Sequence, residues 1–194
     1  MAKRNQLLLL ILTIGVFGIL NTEMGVIGLL PSIAEHFHVS VSRAGWLVSF
    51  FALAIALSGP TLPMLFSGIN RKKVMLLVLG VFVLGNVVSL LTTNFTVLLL
   101  ARIIPAWFHP IYCSMAFTVA ASSVSKEQAP KAVSKVFIGV SAGMVAGVPI
   151  ASYLDSAVSY DMAMAFFAIV NAIAFLATFL FVPSMPVGER LSYG

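Results

Sequence analysis

Apolar residues along this chain come in long unbroken runs, with neither the strict alternation of a half-buried strand nor the polar face of a water-exposed helix. Six runs stand near 7–30, 44–66, 74–91, 95–121, 132–154 and 162–182. Short connections at 31–43, 67–73, 92–94, 122–131 and 155–161 separate them. A helix rises about 1.5 Å per residue, so about 20 residues cross a bilayer core. Each run is therefore predicted to be a transmembrane helix, and 1–194 a single six-span domain of an all-α membrane protein. The first run is too long for a signal-peptide core and lacks a small-x-small cleavage site, so it is predicted to remain in the mature chain.

Glycine and proline punctuate these runs. Gly59-Pro60 and Pro63 fall in the second span, Pro105 and Pro110 in the fourth, and Pro149 in the fifth. Proline removes a backbone donor and kinks a helix. Gly139, Gly143 and Gly147 recur at every fourth position and so share one face, which predicts close packing against another helix. Gly15, Gly18 and Gly25, with Thr22 between them, predict a matching stripe on the first span, and spans one and five are expected to meet there. Gly59-Pro60 and Gly147-x-Pro149 lie at similar distances into oppositely directed spans, as an inverted repeat of three spans would place them.

Composition excludes a water-soluble fold. The chain of 194 residues is 60% hydrophobic and 9% charged, with mean hydropathy +1.08, where soluble domains are about a quarter charged. The net charge of +5 is not a clustered basic face, so nucleic acid is not an expected partner. Lys3, Arg4, Arg71, Lys72, Lys73, Lys126, Lys131, Lys135 and Arg190 fall on one side of the six-span topology, with Arg43 opposite. The positive side is cytoplasmic, which puts both termini inside. Arg71, Lys72 and Lys73 form a basic turn whose topological role alone explains it. The lone Cys113 excludes an intrachain disulfide and reads as a small buried hydrophobe.

Against this background the charges inside the spans carry the chemistry. Glu23 lies in the first span, and a carboxylate at membrane depth costs about 3 kcal/mol on insertion scales. Counting from a first helix that ends at residue 30, Glu23 lies roughly 10 Å from the outer edge, the same depth as Arg102 in the fourth span. Two readings stand open: a static Glu23–Arg102 ion pair joining two helices, and a pair lining an aqueous cavity and exchanging with protons or substrate. His109 is two turns beyond Arg102 on the same face; a histidine can relay protons, so it reads either as a relay or as a hydrogen-bonded core histidine. Tyr112, with Trp107 and Phe108, offers an aromatic wall. Asn21 and Thr22 flank Glu23, although Asn21 points to another side of the helix.

Gly139-Val140-Ser141-Ala142-Gly143 fits the nucleophile-elbow spacing but lies in an apolar helix, not at a strand-to-helix turn. No phosphate loop, metal-ligand cluster or cofactor motif is recognised, and no enzymatic activity is expected.

Four signatures, in order, give the chain its resemblance. They are Asn21-Thr22-Glu23 through Leu30-Pro31-Ser32-Ile33-Ala34 to Gly45-Trp46, the turn Asn70-Arg71-Lys72-Lys73, Arg102 early in span four, and Gly143-x3-Gly147-Val148-Pro149 in span five. Across nearly its whole length the chain resembles the amino-terminal half of a major facilitator superfamily transporter, of the bacterial drug- and sugar-efflux proton-antiporter branch. The resemblance implies a six-helix half with a 3+3 inverted repeat, located in the bacterial inner membrane. It implies a small-molecule substrate and protons as ligands, handled by Glu23, Arg102, His109, Asn21 and Tyr112. Arg71, Lys72, Lys73, Gly143, Gly147 and Pro149 would serve gating and packing. The chain departs from the pattern at Ser67, which stands where the family has an aspartate. It departs again at Pro63 and Asn70, which stand at glycine positions; asparagine can adopt the left-handed turn, but Ser67 cannot supply the charge. Val148 separates Gly147 from Pro149, and the trailing glycine pair is missing. A six-span half leaves a cavity face uncovered, so a second six-helix half or a homodimer is the expected partner.

Overall fold

The computed structural model describes residues 3–185; Arg190, counted toward the positive side, lies outside them. The described residues form helices α1 (Lys3–His36), α2 (Val41–Ala44), α3 (Trp46–Ser58), α4 (Leu62–Leu65), α5 (Arg71–Leu91), α6 (Phe95–Ser122), α7 (Ala129–Ala157) and α8 (Tyr160–Phe181), with one 3-10 turn at Lys126–Gln128. Six helical segments are long and apolar enough to cross a membrane.

The helix ends follow local chemistry. Asn94 caps α6 by accepting from Thr96 and Val97 N–H, and Ser159 caps α8 by accepting from Met162 N–H. Asn70 caps α5 through Lys72 and Lys73 N–H, so α5 begins at the basic residues themselves, earlier than position 74. Its φ of −50° lies outside the left-handed region that asparagine can adopt. An asparagine at this position supplies a side-chain acceptor, which glycine cannot. The first helix likewise runs through Pro31 to His36. Pro31 is exposed, so the donor it removes faces outward and the helix continues past it.

Among the described residues, proline interrupts a span in one place. The second span is interrupted between Ser58 and Leu62, where Pro60 and Pro63 strip donors from a single turn and Thr61 N–H falls back to Ser58 O at 3.2 Å. Pro105 and Pro110 in α6, and Pro149 in α7, stay inside continuous helices.

Most of the helix contacts pair up in a symmetric scheme, although the α7–α8 contact has no counterpart of similar extent between α3 and α5. Exchanging α1 with α6, α3 with α7 and α5 with α8 maps the contact α1–α7 onto α6–α3, and α1–α8 onto α6–α5. It leaves α5–α8 unchanged. That is the relation a 3+3 inverted repeat requires.

The α1–α7 seam is as tight as the glycine spacing predicts. A Cβ at Gly139 would collide with Thr13 O, one at Gly143 would lie 2.6 Å from Leu20 Cβ, and one at Gly147 would lie 3.3 Å from Gly25 N. The stripe on α1, however, is divided among three neighbours. Gly15 faces the Tyr112 ring, Gly18 faces Asn171, Gly25 faces the Phe167 ring with Gly147 O beyond it, and Gly28 meets Ser152 and the Val148 backbone of α7.

One end of the bundle gathers the basic connections. Asn5 Nδ2 donates to Ser123 O at 2.7 Å, Arg71 Nη1 to Ser122 Oγ at 3.1 Å, and Lys72 Nζ to Phe179 O at 2.8 Å. At the opposite end Ser32 Oγ donates to the Asp155 carboxylate, His36 stacks on Tyr160, and the Arg43 guanidinium lies over the Trp46 and Phe95 rings.

Candidate functional site at the α1–α6 crossing

Glu23 meets His109 where α1 crosses α6. Glu23 Oε2 lies 3.1 Å from His109 Nε2, and the two side chains are 18% and 11% exposed. The contact is an ion-pair approach without hydrogen-bond alignment, since neither ring nitrogen of His109 has a hydrogen-bond partner. Among the described residues it is the only ion pair.

Arg102 does not take Glu23. Its Nη2 donates instead to Thr22 O at 2.5 Å, and its guanidinium stands 5.9 Å from the Phe51 ring centroid. Helix length explains the change of partner. Because α1 reaches His36, Glu23 lies about 20 Å from its outer end, and His109 lies about 21 Å into α6. Arg102 stems from roughly 10 Å into α6, and its long side chain reaches the same turn of α1 but ends on Thr22 O, leaving the carboxylate to the histidine at its own depth. The depth matching of Glu23 with Arg102 assumed a helix ending before Pro31, and the extra turns carry the carboxylate down to the histidine.

Two other predicted site residues are turned elsewhere. Asn21 is fully buried, its backbone N–H against Gly143 and its side-chain Oδ1 against Gly147, so it belongs to the α1–α7 seam. Tyr112 is fully buried with its hydroxyl against Gly15. Neither opens onto the face carrying Glu23 and His109. Trp107 is exposed and Phe108 packs on Phe66, so the three aromatics make no common wall. Gly143 and Gly147 sit in the α1–α7 seam, and Pro149 is exposed on α7. Arg71, Lys72 and Lys73 stand at the bundle end, remote from the pair. Ser141 is exposed on the continuous helix α7, with no strand-to-helix turn.

Sequence reasoning missed the groups that surround the pair. Phe51 of α3 lies edge-on to His109, with ring centroids 6.3 Å apart, and also faces Arg102. Asn171 of α8 places Nδ2 within 2.8 Å of Thr22 Oγ1, 2.9 Å of Phe167 O and 3.2 Å of Gly18 O. Asn86 of α5 donates to Thr22 Oγ1 at 3.4 Å. The signal was available: each is a lone amide in an apolar helix, and such a group must find a partner on another helix. Thr22 thus ties α1 to α5 and α8, while its carbonyl ties α1 to α6. The turn that carries Glu23 is held from three sides.

Chemically, a carboxylate facing an imidazole inside a membrane is a pair in which one proton changes the net charge of the contact. Among the described residues no group of three or more His, Cys, Asp or Glu side chains could hold a metal ion.

Comparison with known proteins places this geometry. Residues 12–192 match the family model described as Major Facilitator Superfamily. The inner membrane transport protein YdhP of Escherichia coli (strain K12) is 33% identical over 182 residues, covering 94% of this chain and 47% of that protein. The MFS-type transporter YtbD of Bacillus subtilis (strain 168) is 33% identical over 182 residues, covering 94% of this chain and 46% of its own length. A crystal structure of the human organic anion transporter MFSD10 (TETRAN) superposes with a TM-score of 0.74 at 18% identity, over 93% of this chain and 48% of that one. The chain spans about half the length of the relatives it matches. With six spans in an inverted-repeat packing and a family match over nearly its whole length, the chain belongs to the major facilitator superfamily.

Proposed function

We propose that this chain is the six-helix half of a secondary transporter that exports a small organic compound, such as a drug or a sugar, in exchange for protons by alternating access. Glu23 is the protonatable carboxylate, His109 is its partner across the α1–α6 crossing, and Arg102 is a positioning residue that holds the Glu23 turn through Thr22 O. The observation that carries the reading is the 3.1 Å contact, deep inside an apolar bundle, between a buried histidine and a carboxylate that keeps some exposure. Protonating Glu23 removes the charge that His109 faces and loosens α1 from α6, which couples proton binding to helix movement. A second six-helix half, or a second copy of this chain, covers the open side. The clustering of Lys and Arg at one end supports an orientation with both termini in the cytoplasm, and the kinship with an inner membrane protein supports the bacterial inner membrane.

The test is flux in reconstituted vesicles under an imposed pH gradient, read with fluorescent aromatic drugs and labelled sugars. Glu23→Gln is expected to abolish gradient-driven flux while the chain stays folded, and His109→Gln to uncouple flux from the gradient. Unchanged flux in Glu23→Gln removes Glu23 from the mechanism. Loss of folding in both variants assigns the pair to holding helices together. Absence of flux in the unaltered chain assigns it the part of a non-transporting subunit or fragment.

A further inference from the structure

Beside Arg102 lies a small, partly open space of about 10 Å³, lined by Thr22 of α1, Phe51 of α3, Phe82 and Asn86 of α5, and Ala101, Arg102 and Pro105 of α6. We propose that Thr22, Asn86 and Arg102 form a binding site for a single water molecule, which bridges the Arg102 guanidinium to the Asn86 carbonyl. This inference is independent of whether the chain transports anything.

Size and polarity both select water. A cavity needs about 10–15 Å³ to hold one water molecule, and that water needs two to four polar partners. A substrate or a polyatomic anion does not fit. The three polar residues are each about 3% exposed. Arg102 Nε and Nη1 are buried donors without a protein acceptor, while Nη2 is engaged by Thr22 O. Asn86 spends its amide nitrogen on Thr22 Oγ1, and among the described residues no donor reaches its carbonyl oxygen. The ligand must therefore accept from a cation and donate to a carbonyl. An anion is opposed by Asn86 Oδ1 and a cation by Arg102, whereas water satisfies both.

Thr22 Oγ1 already accepts from Asn86 and Asn171, which leaves its own proton to point toward the water. The site thus reaches the three bonds typical of buried water. Phe51, Phe82, Ala101 and Pro105 line the rest of the space. The consequence is that the Arg102 charge is met by dipoles, from Thr22 O, Asn86 through the water, and the Phe51 face. Arg102 makes no ion-pair contact with the Glu23 carboxylate, which instead stands against His109.

The experiment is NMR on the purified full chain in detergent micelles, with the Nε–H resonance of Arg102 assigned by its loss in Arg102→Lys. Cross-peaks from water to this proton, of opposite sign in NOE and ROE spectra, are expected, as for a water that tumbles with the protein. In Asn86→Leu the carbonyl is removed and the space is filled, and the cross-peaks should vanish. An unaltered chain without the cross-peaks, or a folded Asn86→Leu variant that keeps them undiminished, overturns the proposal. Should Asn86→Leu fail to fold, density in an experimental structure decides. An ordered water within hydrogen-bond distance of Nε supports the site, and none, where other buried waters are seen, refutes it.

Discussion

Asn171 shows how single polar residues organise an apolar bundle. Its amide reaches three oxygens on two helices at once, and Thr22 receives it together with Asn86. Interhelical hydrogen bonds in membranes are worth about 0.6 kcal/mol on average and up to about 1.7. Asn171→Leu keeps the volume and loses the bonds, and is expected to lower unfolding stability in detergent by about 1 kcal/mol; a change below measurement error would show that the amide contributes nothing. Glu23 and His109 were both legible in the sequence, because an ionisable group in an apolar run marks itself. Their pairing was not, because partner choice depends on where α1 ends, and Pro31 misplaced that end. A proline stops a helix only if the helix needs the missing donor on its packed side.

At the scale of elements, the α1–α7 seam is the feature most plainly encoded. Gly139, Gly143 and Gly147 stand one helical turn apart, and α1 presses backbone against them. Gly139→Ala meets Thr13 O, a backbone atom that cannot swing away, and is expected to cost about 1–3 kcal/mol as overpacking. Gly80→Ala meets only Phe175 ring carbons at 3.5 Å or more. It should be neutral or stabilise the chain by up to about 1 kcal/mol through helix propensity. Thermal unfolding of both variants in one detergent checks the contrast, and equal effects would mean that the seam is not under close-packing constraint. The second span gives the opposite lesson. Its Gly59-Pro60 and the Gly147-x-Pro149 of α7 look equivalent in sequence, yet only the former breaks a helix. What differs is the second proline, Pro63, within the same turn.

For the whole molecule, the contact scheme makes orientation testable. The start of α1, the start of α5, the end of α6 and the segment after α8 meet at one end, and Arg43 stands at the other. With Cys113 replaced by serine, a cysteine at Lys126 should be shielded from a membrane-impermeant maleimide in intact cells. A cysteine at Val41 should react. The reverse pattern would invert the orientation.

Length and spacing of the apolar runs determined the number of spans, the membrane class and the glycine seam, because covering a hydrocarbon core demands nothing but about 20 apolar residues and close packing demands nothing but small ones. The family resemblance, too, was readable from motifs in order along the chain. Tertiary structure alone decided that Glu23 faces His109, that Arg102 turns to Thr22 O, and that Asn86 and Asn171 converge on Thr22. The physical reason is that an ion pair in a bundle is set by depth and rotation to within a few ångströms. Depth accumulates every uncertainty in a helix end, at about 1.5 Å per residue.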